Sequence, residues 1–281
     1  MAKAFTIKTY FPDGDPNGLK IISRKNRIFE GVFFHRAMFK DVKKRNEFSR
    51  LGVYILVNDT INKSIPQVYI GQAGHIMKRL NGHFTSTEFW EWCIFFTPAV
   101  EGRIGKTEIL YLEAFLYELA KNLKRCELKN RQIPSSPILS EDDTAEMEDF
   151  INDILDLCPQ VGLEIFKQIK KQKNKNKLLY INAKGIKATG YELGNNFVVC
   201  KGSQVYLENT SSIDKYLVDT RIELLKQEVI IDNDKHYIFT EDYQFSSPST
   251  AAGIILGRNS NGRIEWKDKN GIILKKLQNL S

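Results

Sequence analysis

Glu113 has Ile109, Leu110, Leu116 and Tyr117 as its neighbours one helical turn away, so its carboxylate leaves the helix on the face that a fold must bury. An ionised carboxylate in apolar surroundings is costly unless a cation meets it, and the cation can be a lysine or a metal ion. Arg79 and His83 raise a similar question on a shorter stretch. They stand four residues apart, where helical spacing puts a permanent planar cation and a titratable imidazole on one face. Taken singly, an arginine or a histidine is most often surface decoration. Tyr54 and Tyr69 add two phenols, whose ordinary pKa of about 10 makes them poor bases unless neighbouring cations lower it.

The elements that must position these groups are legible. Gly52–Val57 and Gln67–Gly71 are β-branched and aromatic runs joined by the polar Asn58–Ser64 segment, as in an antiparallel hairpin. From Gln72 to Phe84 the period becomes helical, with Ile76 and Leu80 on one face and His75, Arg79 and His83 on the next. Phe89–Thr97 reads as a third strand. Lys106–Lys124 reads as a long helix with a stripe of Ile109, Leu110, Leu112, Phe115, Leu116, Leu119 and Leu123. Upstream, Phe5–Phe11, the turn formers Pro12–Gly18 and the run from Leu19 suggest a hairpin. His35–Phe48 suggests a helix with Arg36, Lys40, Lys43, Lys44 and Arg45 on its polar side, either solvated or laid along a DNA backbone. Downstream, Ser140 with the acids behind it opens a helix carrying Met147, Phe150, Ile151, Ile154 and Leu157 until Pro159. Lys170–Lys177 has no apolar period and reads as a junction. Strands near 178–182, 190–193 and 197–200, helices at Ser212–Glu228 and Pro248–Gly257, and a strand, Asn-Gly turn and strand over Gly262–Leu274 complete the chain.

Taken as a set, Gly52-Val-Tyr54, Tyr69-Ile-Gly71, Arg79 ten residues after Tyr69, His83 and a helical Glu113 resemble the GIY-YIG nuclease family, over roughly Leu51–Asn130. Valine stands in the middle of the first motif, where a strand accepts it. The family often has an asparagine after the glutamate helix, and Asn130 is the candidate here. The resemblance implies a small antiparallel sheet flanked by helices, and hydrolysis of DNA phosphodiesters at Tyr54, Tyr69, Arg79, His83, Glu113 and Asn130. It implies that one tyrosine helps activate the water and that Glu113 holds one divalent cation, Mg²⁺ or Mn²⁺, for which a carboxylate is a hard oxygen ligand. Arg79 would grip phosphate oxygens with Lys78 beside it, and His83 would touch the phosphate or share in proton transfer.

Charge permits this reading without requiring it. The formal net charge is +7. Residues 1–132 carry 22 Lys and Arg against 13 Asp and Glu, residues 133–168 carry 1 against 9, and residues 178–281 carry 13 against 12, so the cation excess sits at the front. Cys93, Cys126, Cys158 and Cys200 show no paired spacing, so neither a zinc knuckle nor a disulfide framework is suggested. No apolar run approaches the ~18–20 residues of a membrane span, and no hydrophobic signal core opens the chain, so a cytoplasmic protein without membrane association is expected, its oligomeric state open. Four segments are expected: an N-terminal extension (1–50), a catalytic core (51–132), an acidic helical bracket with lysine-rich linker (133–177) and a C-terminal α+β domain (178–281). Within the last, Ser247–Arg258 and Asn261–Lys267 resemble an accessory domain of uncharacterised role often found behind such nucleases, and Arg258, Arg263 and Lys267 beside Trp266 either contact DNA or are solvated cations around a packed Trp266, with the second reading preferred. The expected class is α/β. A metal-dependent DNA endonuclease is expected, with a non-catalytic nucleic-acid adaptor and an RNase using the same site as alternatives; restriction, phage defence, mobile elements and repair all remain open as settings.

Overall fold

The computed structural model describes residues 4–58, 65–86, 89–100, 102, 104–167 and 178–279. The chain divides into two compact units, Met1–Asp59 with Pro66–Lys167 and Thr60–Ile65 with Gln168–Ser281. The lysine-rich stretch expected as a junction, and most of the loop expected after Asn58, lie outside the described residues.

The first unit holds strands β1 (Ile7–Tyr10), β2 (Lys20–Arg24) and β3 (Phe29–His35), then the one-turn helix α1 (Phe39–Val42). Strands β4 (Gly52–Asn58) and β5 (Gln67–Ala73), helix α2 (Ile76–Ser86), strand β6 (Trp92–Pro98), helix α3 (Lys106–Leu123), the short strand β7 (Glu127–Leu128) and helix α4 (Glu141–Leu157) follow. The strands form one seven-stranded sheet in the order β1-β2-β3-β6-β4-β5-β7, antiparallel except for the last pair. Residues 1–50 and 133–167, expected as an extension and a bracket, are thus continuous with the core: the first hairpin is the sheet's far edge, and α4 packs on its face. Arg24 and Arg27 fix that packing through the buried Asp153, at 2.9 Å and 3.4 Å, with Asp149 2.7 Å from Arg27.

Strand alternation divides the apolar residues between two layers. Val53, Ile55 and Val57 face α3 and α4 with Ile109, Leu112, Phe150 and Ile154, whereas Tyr54 and Leu56 face α2 and the 36–49 segment with Phe39, Phe48, Ile76 and Leu80. The helix expected over His35–Phe48 is not continuous. It is α1 between two 3-10 turns, Arg36–Met38 and Asn46–Ser49, with extended backbone at Arg45. Aromatic packing explains the break: Phe34, Phe39 and Phe48 meet at centroid distances of 5.3–6.4 Å, and Phe48 reaches Phe95 at 4.8 Å, which one straight helix does not allow.

The second unit holds β8 (Leu179–Ala183), β9 (Ile186–Leu193), β10 (Asn196–Val199), β11 (Gln204–Val205), α5 (Lys215–Lys226), β12 (Ile230–Asp232), β13 (Tyr237–Phe239), β14 (Tyr243–Phe245), α6 (Pro248–Leu256), α7 (Gly262–Glu265) and α8 (Leu274–Gln278). Its sheets run β14-β10-β9-β8 and β11-β13-β12 around a core that includes Phe197, Leu217, Ile254 and Trp266. The closing hairpin expected over Gly262–Leu274 is replaced by α7 and α8, with only isolated bridges from Lys267 to Tyr180 and Ile273. The Asn261 side chain caps α7 by accepting from the Arg263 N–H, and Trp266 is buried with its indole N–H donating to the Pro248 carbonyl at 3.1 Å. The architecture is mixed α/β, and no helix among the described residues is long and apolar enough to cross a membrane.

Candidate active site

Gly71 lies directly opposite Tyr54 in the β4–β5 ladder, and Tyr69 stands two residues before Gly71 on the same face. The tyrosines are therefore diagonal neighbours rather than a facing pair. Their rings stack at 6.1 Å with an interplanar angle of 20°. Gly71 has a steric reason: a Cβ there would fall 2.4 Å from the Tyr54 hydroxyl oxygen and 2.9 Å from the Tyr69 ring. Gly71→Ala should therefore keep the fold while displacing both phenols, with at least a hundredfold loss of any activity that needs their placement to within an ångström; steady-state rates beside an unchanged far-ultraviolet dichroism spectrum check it.

Helix α2 brings Arg79 and His83 over this pair. The Arg79 guanidinium donates from Nε to the Tyr54 hydroxyl at 3.0 Å and from Nη2 to the Tyr69 hydroxyl at 3.3 Å. His83 Nε2 lies 2.8 Å from the Tyr54 hydroxyl on its other side. Arginine has only donors, so the Tyr54 oxygen accepts from it and its own hydrogen is left for His83. Burial, then the positive Arg79, lowers the His83 pKa to about 4, so the imidazole is neutral near pH 7 and can accept that hydrogen at Nε2. Burial chiefly, and then the adjacent Tyr69, raises the Tyr54 pKa against the pull of Arg79, and the free protein holds a phenol there.

Glu113 reaches the same place from α3, past the open edge of β5. Strand β7 pairs with β5 only at Gln67 and Val68, and the groups beyond must find other partners. Lys129 N–H donates to the Val68 carbonyl; the Asn130 amide accepts from Ile70 N–H at 3.1 Å and donates to the Ile70 carbonyl at 2.7 Å; the next outward donor, Gln72 N–H, lies close enough to the Glu113 carboxyl to favour its charged form. Asn130 thus uses its amide to hold strand β5, placing it among the residues that position Tyr69 and Gly71. Burial foremost, opposed by Arg79 and the Gln72 hydrogen bond, raises the half-buried Glu113 carboxyl to about 7. Among the described residues no lysine or arginine forms an ion pair with it, so the lysine partner weighed for this carboxylate is not the one found. It is a hard oxygen donor with only part of its charge compensated, which suits one divalent cation completed by waters. No group of three or more His, Cys, Asp and Glu side chains converges among the described residues.

The expected residues Tyr54, Tyr69, Arg79, His83 and Glu113 therefore meet at one end of β4 and β5. Lys78 is exposed on α2 beside Arg79, and Lys43 and Lys44 belong to the 36–49 segment packed in the same layer. In the second unit Arg258 is paired with Glu265 at 2.7 Å and Arg263 donates to Gln278 at 2.7 Å, and Trp266 is buried, as in the packed alternative weighed for that ring. The backbone N–H of Gln72 had no signature to be read, since a main-chain donor leaves no mark on residue type. Residues 179–278, 100 of the 281, match a family described as a domain of unknown function, DUF4357. Neither the curated proteins nor the solved structures include a match to this chain.

Proposed function

We propose that the first unit hydrolyses DNA phosphodiesters and has the GIY-YIG nuclease fold over about 51–130. The observation that carries the reading is the convergence of a donor fork, a neutral base and two phenols within hydrogen-bonding reach of one another, with the Glu113 carboxyl close enough for the Arg79 charge to act on it. A binding-only adaptor has no need of a Tyr54–His83 pair enclosed in this way.

Arg79 covers the Tyr54 oxygen in the free protein. An arriving phosphate competes for the guanidinium, whose planar fork matches two phosphoryl oxygens and stays charged throughout. Turning Arg79 onto the phosphate uncovers Tyr54. The attacking water gives its proton to the Tyr54 oxygen as Tyr54 passes its own to His83 Nε2, 2.8 Å away. The water oxygen then bonds to phosphorus, the bond to the leaving sugar oxygen breaks, and that oxygen takes up a proton from solvent. Tyr69 donates its hydroxyl hydrogen toward the same phosphate while holding Arg79 in register. Glu113 would hold Mg²⁺ or Mn²⁺, which when bound supplies positive charge to the phosphate and the departing oxygen.

The test is to incubate the protein with Mg²⁺, Mn²⁺ or EDTA and single-stranded, duplex, branched and methylated DNA, with RNA alongside, and to sequence the ends. Metal-dependent cuts in DNA support the reading, cuts in RNA alone replace it with the ribonuclease alternative, and no cuts in any substrate remove it.

A further inference from the structure

The two helical layers of the first unit carry opposite charge. The 36–49 segment and α2 hold seven cations (Arg36, Lys40, Lys43, Lys44, Arg45, Lys78 and Arg79) against Asp41 and Glu47, and Glu47 is buried and paired with Arg45 at 3.0 Å. Helices α3 and α4, across the sheet, hold two lysines against eleven acids. Three of the segment's cations lie against α2. Lys43 Nζ donates to the Asn81 side-chain oxygen at 3.4 Å, and Arg36 donates to the Phe84 carbonyl at 3.0 Å while its guanidinium lies 5.3 Å from the Phe84 ring. Lys40 Nζ lies over the same ring at 5.9 Å. Between them and Arg79, α2 exposes Lys78, Asn81, Gly82 and Thr85, and a Cβ at Gly82 would touch nothing. The outcome is a cationic strip that starts at Arg79 and Lys78 and crosses the low, uncharged stretch of Asn81, Gly82 and Thr85 to Lys43, Lys40 and Arg36.

We infer that this strip is a DNA backbone track, which holds the phosphates flanking the scissile one on the outward face of α2 and on Lys43 and Lys40. The inference rests on the phosphodiester reading of the Tyr54–Arg79 site for its starting point. Phosphate contacts of this kind position a strand without reading its sequence, and each adds to the salt dependence of binding. The small side chains at 81, 82 and 85 let a backbone lie close to the helix.

Binding is measured by fluorescence anisotropy of a labelled 20-base-pair duplex in EDTA, where no cutting occurs, at several KCl concentrations. Lys40→Glu/Lys43→Glu should weaken affinity at least tenfold and reduce the slope of log affinity against log salt by about 2, one phosphate contact per lysine. Lys40→Gln/Lys43→Gln should show a smaller loss of the same kind, and carries the test if charge reversal disturbs folding. Lys121→Glu, on the acidic layer, should stay within twofold of wild type. Affinity and slope unchanged in both double variants, an equal loss from Lys121→Glu, or a wild type that does not bind the duplex overturns the inference. A wild type that binds through this strip yet cuts no substrate keeps the track and removes the nuclease reading. One that cuts while the double variants bind normally removes the track alone.

Discussion

Arg79→Lys is expected to lower DNA cleavage by about 10³-fold although charge is conserved, because one side chain makes two directed contacts that an ammonium cannot duplicate. Its Nε and Nη2 reach the Tyr54 and Tyr69 hydroxyls at 3.0 Å and 3.3 Å, so the guanidinium plane is set by both phenols before substrate arrives. Loss of one preorganised donor at a developing oxyanion costs about 10²–10³ in rate, and the lysine also forfeits the bidentate grip. Single-turnover rates at saturating DNA check this, with thermal melts showing that the variant remains folded. A rate within threefold of wild type would mean that Arg79 serves only as a point charge.

Glu113→Gln should abolish metal-dependent cleavage and, at pH 8 in EDTA, raise thermal stability. The second effect follows from the sign of the pKa shift. Burial raises the Glu113 carboxyl from 4.5 to about 7, so between those values the folded chain holds a proton that the unfolded chain has released. Stability contributed by this group is full below pH 4.5 and is lost as pH rises through about 7. Glutamine never ionises, so the variant should gain over wild type above pH 7 and show no gain below pH 4.5. Mg²⁺ or Mn²⁺ should raise the wild-type melting temperature most at pH 8, where the carboxylate is ionised, and leave the variant's unchanged. Equal metal-induced shifts in both proteins would place the ion elsewhere.

The strands and helices carrying the site were legible because their periods are clean: Gly52–Asn58 and Gln67–Ala73 alternate between two buried layers, and α3 keeps its apolar stripe over eighteen residues. Arg79, His83 and Glu113 could be singled out by type and spacing. Their joint geometry could not, since Glu113 arrives from the opposite layer, beside a main-chain N–H left without a strand partner where β7 stops. The 36–49 segment was misread as one helix because its cations do have helical spacing; its tertiary demand, to fit Phe34, Phe39 and Phe48 against Phe95, is non-local and overrode that period. The Asn-Gly pair at 270–271 likewise gives a turn, with Gly271 at φ +81°, but Trp266 is drawn into the core and short helices replace the flanking strands. That the N-terminal hairpin belongs to the sheet was not legible for a similar reason: a ladder from β3 to β6 joins it there, and pairing between segments so far apart has no local sequence signal.

The most direct measurement compares wild type and Glu113→Gln, purified in parallel with matching dichroism spectra, on supercoiled duplex plasmid in Mg²⁺ and in EDTA. Nicking or linearisation by wild type in Mg²⁺, and none in EDTA or by the variant, is the predicted result; equal cutting by both proteins, or cutting undiminished by EDTA, would contradict the account.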